Sequence, residues 1–156
     1  MSSALSAGDR QAIADLVERY AVCFDARDTD GVIGCFTDDV HLDYLDGRKI
    51  ADGIEEVRAT MFQFADVPLP GVDRILHSHH TMRVDRLQTD PAIGDQATSL
   101  TSCLAHLLVQ DGERTALLTR AVEYDDGHRR TAGGWRIARR RHRQIWEARQ
   151  PATYLR

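Results

Sequence analysis

Cysteine is scarce in this sequence: its 156 residues hold three, Cys23, Cys35 and Cys103. An odd number without CxxC spacing excludes a disulfide framework. Each of the three sits in an apolar pattern and reads as a small buried hydrophobe in a reducing compartment. Long apolar runs are missing too. No stretch approaches the roughly 20 residues needed to cross a bilayer, so a soluble chain with no membrane partner is expected. The start, Met1-Ser2-Ser3-Ala4-Leu5-Ser6, has neither a basic leader nor an apolar core, which points to a cytoplasmic location. Excess positive charge is also lacking. A net charge of -4 argues against a nucleic-acid partner, which would require cations to displace counterions from phosphates. The local exception is Arg139-Arg140-Arg141-His142-Arg143. It continues a strand-like pattern from Trp135 and Ile137, so it reads as a solvated sheet edge with some inward arginine.

With no repeat, no low-complexity tract and one proline break of note, Val67-Pro68-Leu69-Pro70-Gly71, residues 1–156 fit one domain. The clearest element is a helix whose Ile13, Leu16, Val17, Tyr20, Ala21 and Phe24 share one face, with Ser6 and Asp9 resembling a capping box at its start. Asp25 follows at the edge of that apolar stripe. A short second helix is expected with Asp30 as cap and Val32, Ile33 and Phe36 on its buried side, ending in a Thr37-Asp38-Asp39 turn. Val40, Leu42 and Tyr44 then alternate with His41 and Asp43 as in a strand stopped by Asp46-Gly47. A third helix starts near Gly53, carries Ile54, Val57, Met61 and Phe62, and ends before Pro68.

Beyond that point the apolar period changes from 3.6 to 2. Strands are expected near 74–87, 96–110, 114–124 and 135–146, with turns at Asp111-Gly112 and Gly133-Gly134. Strands joined by short turns are antiparallel, so helices first and long strands later means α+β: three helices on one face of a strongly bent sheet. A doubly wound parallel fold is excluded.

Histidine carries the chemistry. Three of seven crowd into Leu76-His77-Ser78-His79-His80-Thr81, where strand alternation puts His77 and His79 on one face and His80 with Leu76 and Met82 on the other. His106 lies in the apolar run Cys103-Leu104-Ala105-His106-Leu107-Leu108 and is expected to be largely buried. A buried neutral imidazole must satisfy one donor and one acceptor, and its ordinary pKa near 6.5 suits acid-base work. Each of these rings has a bland reading as a structural histidine satisfied by a backbone group or a carboxylate. His77, His79 and His106 together raise the possibility of a metal. No carboxylate stands at a metal-ligand spacing from them, so no metal is expected. Nor is there a GxSxG motif or an activated cysteine to serve as nucleophile.

Four segments carry a family resemblance: Ala12-Ile13-Ala14-Asp15-Leu16 through Tyr20 to Cys23-Phe24-Asp25-Ala26-Arg27-Asp28; Phe36-Thr37-Asp38-Asp39-Val40; Arg74-Ile75-Leu76-His77; and Gly133-Gly134-Trp135-Arg136-Ile137-Ala138-Arg139-Arg140. In this order and spacing the chain resembles the SnoaL-like superfamily of nuclear-transport-factor-2-like folds, and within it the branch containing scytalone dehydratase, lindane dehydrochlorinase and bile-acid dehydratase. The resemblance implies a cone-shaped α+β barrel, its three N-terminal helices packed on a curved mixed or antiparallel sheet around a pocket. It also implies an Asp25–His77 dyad, with Tyr44 and His106 assisting. Tyr20, Phe24, His79 and Arg120 become candidates to contact the substrate. Phe24 and Arg120 depart from the dehydratase pattern, which has Tyr and Asn there, and imply a more oxygenated or anionic substrate. The bland readings are a cross-strand aromatic for Tyr44 and an acidic neighbour-strand partner for Arg120.

The expectation is therefore a cofactor-independent acid-base enzyme for a small hydrophobic, polyketide- or steroid-like molecule. A dehydratase comes first, then an isomerase or cyclase. The other classes are a noncatalytic small-molecule-binding protein and an accessory subunit like those of ring-hydroxylating dioxygenases. The outer sheet face needs cover, which a homodimer, or else a trimer, supplies.

Overall fold

A computed structural model describes residues 5–44, 47–60 and 71–153. The first helix, α1 (Ala7–Asp25), is capped by Ser6, whose hydroxyl accepts from the Asp9 N–H at 3.0 Å and donates to the Asp9 carboxylate at 2.7 Å. Its buried residues are Ile13, Leu16, Val17, Tyr20, Ala21 and Phe24, the stripe expected from spacing. The short α2 (Thr29–Ile33) is capped by Asp28 instead of Asp30; the Asp28 carboxylate accepts from the Gly31 N–H at 2.9 Å, while Asp30 pairs with Arg58. Phe36 and Thr37-Asp38-Asp39 belong to no helix or turn but open strand β1 (Phe36–Tyr44). An unforeseen short strand, β2 (Lys49–Asp52), pairs with β1 before α3 (Ile54–Thr60). The expected Met61, Phe62 and Pro68–Pro70 boundary of α3, and Asp46 of the turn after β1, lie outside the described residues.

Four long strands follow: β3 (Val72–Asp90), β4 (Gly94–Asp111), β5 (Arg114–Thr131) and β6 (Gly134–Ala152). Gly112 and Gly134 carry the hairpin turns at φ 62° and 98°, backbone that side chains rarely adopt. The sheet is curved and unclosed, in the order β2-β1-β6-β5-β4-β3. All pairings are antiparallel except β1 with β6, so the sheet is mixed and the fold is α+β. Because β1 covers one side of β6, the basic run on β6 is not a sheet edge.

Bulges decide which residues face α1. On β6 the register against β5 slips between Ile137 and Arg139, and an extra residue in one strand exchanges the faces of everything beyond it. Trp135 and Ile137 point inward before the slip; Arg140 and His142 do so after it, at 2% and 3% exposure, while Arg139 and Arg141 face solvent. A second slip between Gln144 and Trp146 turns Trp146 outward and brings Glu147 opposite Arg120. On β3 a slip at His80 likewise moves Met82 to the core side, correcting its expected grouping with Leu76.

Several inward polar residues are paired across the sheet. The Arg140 guanidinium bonds Asp126 through two hydrogen bonds of 2.7 Å and lies between the rings of Tyr20 and Tyr124, at 4.1 and 4.3 Å from their centroids. Breaking a buried ion pair by removing one partner leaves an uncompensated charge in the core. Asp126→Ala is therefore expected to lower unfolding free energy in urea by about 3–5 kcal/mol, whereas Asp126→Leu combined with Arg140→Met recovers most of that loss. An Asp126→Ala midpoint matching wild type would contradict this reading of the core.

Candidate active site

Asp25 is the last residue of α1, and His77 lies on β3, on the same inward row as Ile75. One carboxylate oxygen of Asp25 accepts from the His77 backbone N–H at 2.8 Å; the other meets His77 Nδ1 at 2.6 Å. With a carboxylate as its partner, Nδ1 is the nitrogen that carries hydrogen in the neutral ring, and Nε2 keeps its lone pair. Phe24 packs edge-on against the imidazole, with centroids 5.5 Å apart at 86°. The side chains of His77 and Asp25 are 7% and 17% exposed, so the pair is largely shielded from water.

A narrow cavity of about 30 Å³ opens beside this pair, lined by Phe24, Tyr44, Ile75, His77, Ala105, Leu107, Arg120, Val122, Tyr124 and His142. Its volume is that of a site for water or a small group. A larger depression of about 880 Å³, around Asp73, Arg74, Gln110, Glu113 and Thr115, is open and polar and contains no acid-base pair. The chemistry points to the smaller one.

Of the residues singled out from sequence, Asp25, His77, Phe24, Tyr44 and Arg120 come together here. His106 does not. It alternates with the lining residues Ala105 and Leu107, faces the outer side of the sheet, is half-buried and meets Thr119 Oγ1 at 3.2 Å. The expectation that it assists the dyad is corrected by strand alternation alone. His77, His79 and His106 are thereby split between two faces, and among the described residues no group of three or more His, Cys, Asp or Glu is arranged for a metal. Tyr20 and His79 do not line the cavity. Tyr20 lies behind it on Arg140, and His79 is half-buried on the inward face of β3 opposite Cys103. Arg120 Nε donates to Glu147 at 2.8 Å, an acidic partner on the next strand.

Two residues of the cavity, Tyr124 and His142, were missed in the sequence. Tyr124 falls in the alternation of β5, but His142 was hidden by the β6 bulge, which reverses the phase set by Trp135 and Ile137. His142 stacks on Tyr44 with centroids 3.9 Å apart and planes within 14°. Burial, reinforced by the Arg140 charge, holds its pKa down to about 3. His79 is lowered to about 4 by burial and then by His77, and His128, bonded to Ser99 Oγ at 2.8 Å, to about 4 by burial. Burial pushes the Cys103 thiol up to about 12, so it is no nucleophile at neutral pH.

These depressed histidines set a pH dependence of stability. Above the ordinary value of 6.5, folded and unfolded rings are both neutral. Below it, the unfolded chain binds protons that the folded chain refuses, so stability falls as the pH drops from 6.5 toward 3–4. The deeply buried His128 and His142 each contribute at most about 1.4 kcal/mol per pH unit in that window. Urea midpoints should therefore decline from pH 7.5 to 5, and less steeply in His142→Phe; a flat profile would contradict the burial of neutral rings.

Comparison with known proteins agrees with this architecture. Residues 6–141 match the SnoaL-like domain. An uncharacterized protein of Mycobacterium tuberculosis is 31% identical over 147 residues, covering 90% of this chain and 88% of the relative. A hexachlorocyclohexane dehydrochlorinase, LinA-type3 from Novosphingobium barchaimii, superposes with a TM-score of 0.69 at 19% identity, covering 95% and 92% of the two chains. ActVI-ORFA from Streptomyces coelicolor gives 0.68 at 16% identity over 88% and 97%. At such identities these two structures establish the likeness of fold alone. The chain belongs to the SnoaL-like domain family.

Proposed function

We propose that this chain is a cofactor-independent acid-base enzyme acting on a small hydrophobic molecule of polyketide- or steroid-like character, with dehydration as its reaction. The observation that carries the reading is the two-point grip of Asp25 on His77, which fixes ring and backbone together and leaves Nε2 as the base. In this reaction Nε2 takes a proton from the carbon next to a carbonyl, and the C–H electron pair moves onto oxygen as an enolate. When the enolate collapses, the C–O bond to the β-hydroxyl breaks. The leaving oxygen receives the proton from the His77 imidazolium, so water departs and the base is restored. Isomerase and cyclase variants share the first step and differ in where the electron pair goes next. Tyr44, on the cavity wall, supports the polarising role given to it by resemblance.

The narrowness of the cavity bears on the substrate. A molecule of ten or more heavy atoms needs far more than about 30 Å³, so lining side chains must turn when it binds. The competing reading is a binding protein without turnover. It is favoured by Phe24, which sets a hydrocarbon edge against His77 where the resembled dehydratase has a phenol.

Exchange of α-protons separates the two. With bicyclic ketones such as tetralones in D2O, wild type should accelerate loss of the α-proton NMR signal, and His77→Gln or Asp25→Asn should reduce that rate by about 10²–10⁴-fold. Ligand binding that weakens in His77→Ala, with no exchange in any variant, would establish the binding protein instead.

We also propose a homodimer formed through the outer sheet face. There Leu76 on β3 and Trp146 on β6 are 60% and 49% exposed, at the ends of neighbouring cross-strand rows that contain His106, Thr119, Leu104 and Ala121. Trp146→Glu should shift the sedimentation mass from dimer to monomer; a monomeric wild type would contradict the interface.

A further inference from the structure

His142 is a second imidazole of the cavity, and it differs from His77 in every respect that matters for its role. It enters from β6, separated from β3 in the sheet by β5 and β4, so the two rings reach the cavity from different strands of the curved wall. His77 has a carboxylate on Nδ1, whereas His142 Nδ1 is buried without a hydrogen-bond partner among the described residues, in a side chain that is 97% covered. Its ring plane is fixed by stacking on Tyr44 and by the tilted Tyr124 ring at 5.5 Å. A neutral imidazole has one N–H to place and one lone pair to satisfy, and among the described residues Nδ1 finds no partner for either.

We infer that His142 holds the reacting oxygen of the substrate: its N–H donates to the carbonyl or enolate oxygen while His77 takes the proton from the adjacent carbon. The inference rests on the acid-base reading of His77 and adds a substrate feature to it, an oxygen one carbon removed from the C–H that breaks. The protein keeps His142 as a donor and no rival base. Burial and the Arg140 guanidinium disfavour its protonated form, so the ring polarises the oxygen as a neutral donor. The bulge at residue 138 is what delivers the ring to this place, because without the slip in register His142 would face solvent. Arg120, on the same wall and bonded to Glu147, adds positive charge near the same oxygen.

4-Nitrophenolate, a planar oxyanion with no reaction open to it, tests this on the full chain. Its affinity is measured for wild type, His142→Phe, which keeps the stack on Tyr44, His142→Gln, which keeps a donor, and His77→Gln, with urea midpoints as the check on folding. Binding should weaken about tenfold or more in His142→Phe and recover to within about threefold of wild type in His142→Gln. In ¹⁵N spectra the His142 nitrogens should shift on adding the phenolate and stay unchanged without it between pH 5 and 8. Equal affinity in wild type and His142→Phe, no binding to wild type, or His142 resonances that ignore the probe would each overturn the assignment. The reading of His77 fails separately, through α-proton exchange that survives in His77→Gln.

Discussion

One carboxylate at the end of one helix organises the functional end of this molecule. Asp25 terminates α1, whose buried stripe packs across the sheet, and its two oxygens grip the backbone and the ring of His77 on β3. The bond to the backbone ties helix to strand; the bond to Nδ1 selects the tautomer. Either alone would leave a degree of freedom, since a ring bonded without its backbone can swing and a backbone bonded without its ring says nothing about protonation. Together they fix the direction of the ring and leave its Nε2 lone pair free of the carboxylate, at the edge of a wall that joins the apolar Ile75, Leu107 and Val122 to Arg120 and His142.

Behind that pair the interior holds several buried polar side chains, some of them paired across strands. Asp126 holds Arg140, Ser99 holds His128 and Glu147 holds Arg120. Two register slips on β6 set two of these pairs, one turning Arg140 and His142 inward and the next turning Glu147 back toward Arg120. A strand without those extra residues would put the same side chains on the wrong faces. The consequence reaches the cavity, because the buried Arg140 charge adds to burial in disfavouring a protonated His142.

Much of this was legible in the residues. The 3.6-residue stripe of α1, the period-2 strands and the glycine turns depend on local rules, and the structure follows them, with the strands longer than periodicity alone indicated. The contact between Asp25 and His77 was reachable through resemblance; their role in turnover is the proposal made above. What failed was whatever depends on phase along a strand. Alternation correctly paired His77 with His79 but assigned Met82 to the wrong face, because the bulge at His80 leaves no mark in composition. The same blindness hid His142 within a basic run. His106 failed for a different reason: the apolar run around it suggested burial and the resemblance a role beside the dyad, whereas in the strand it alternates with the inward Ala105 and Leu107. The caps show a smaller version of the problem, since Asp28 and Asp30 are equally good candidates and only the backbone path chooses between them.

The claim on which the functional account stands is that Asp25 fixes the hydrogen of the neutral His77 ring on Nδ1. ¹⁵N chemical shifts of the imidazole nitrogens report this directly. The account predicts a protonated, pyrrole-type Nδ1 and a pyridine-type Nε2 for His77, with that distinction lost or reversed in Asp25→Ala. A wild-type His77 carrying its hydrogen on Nε2, or averaging between tautomers as a free ring does, would contradict it.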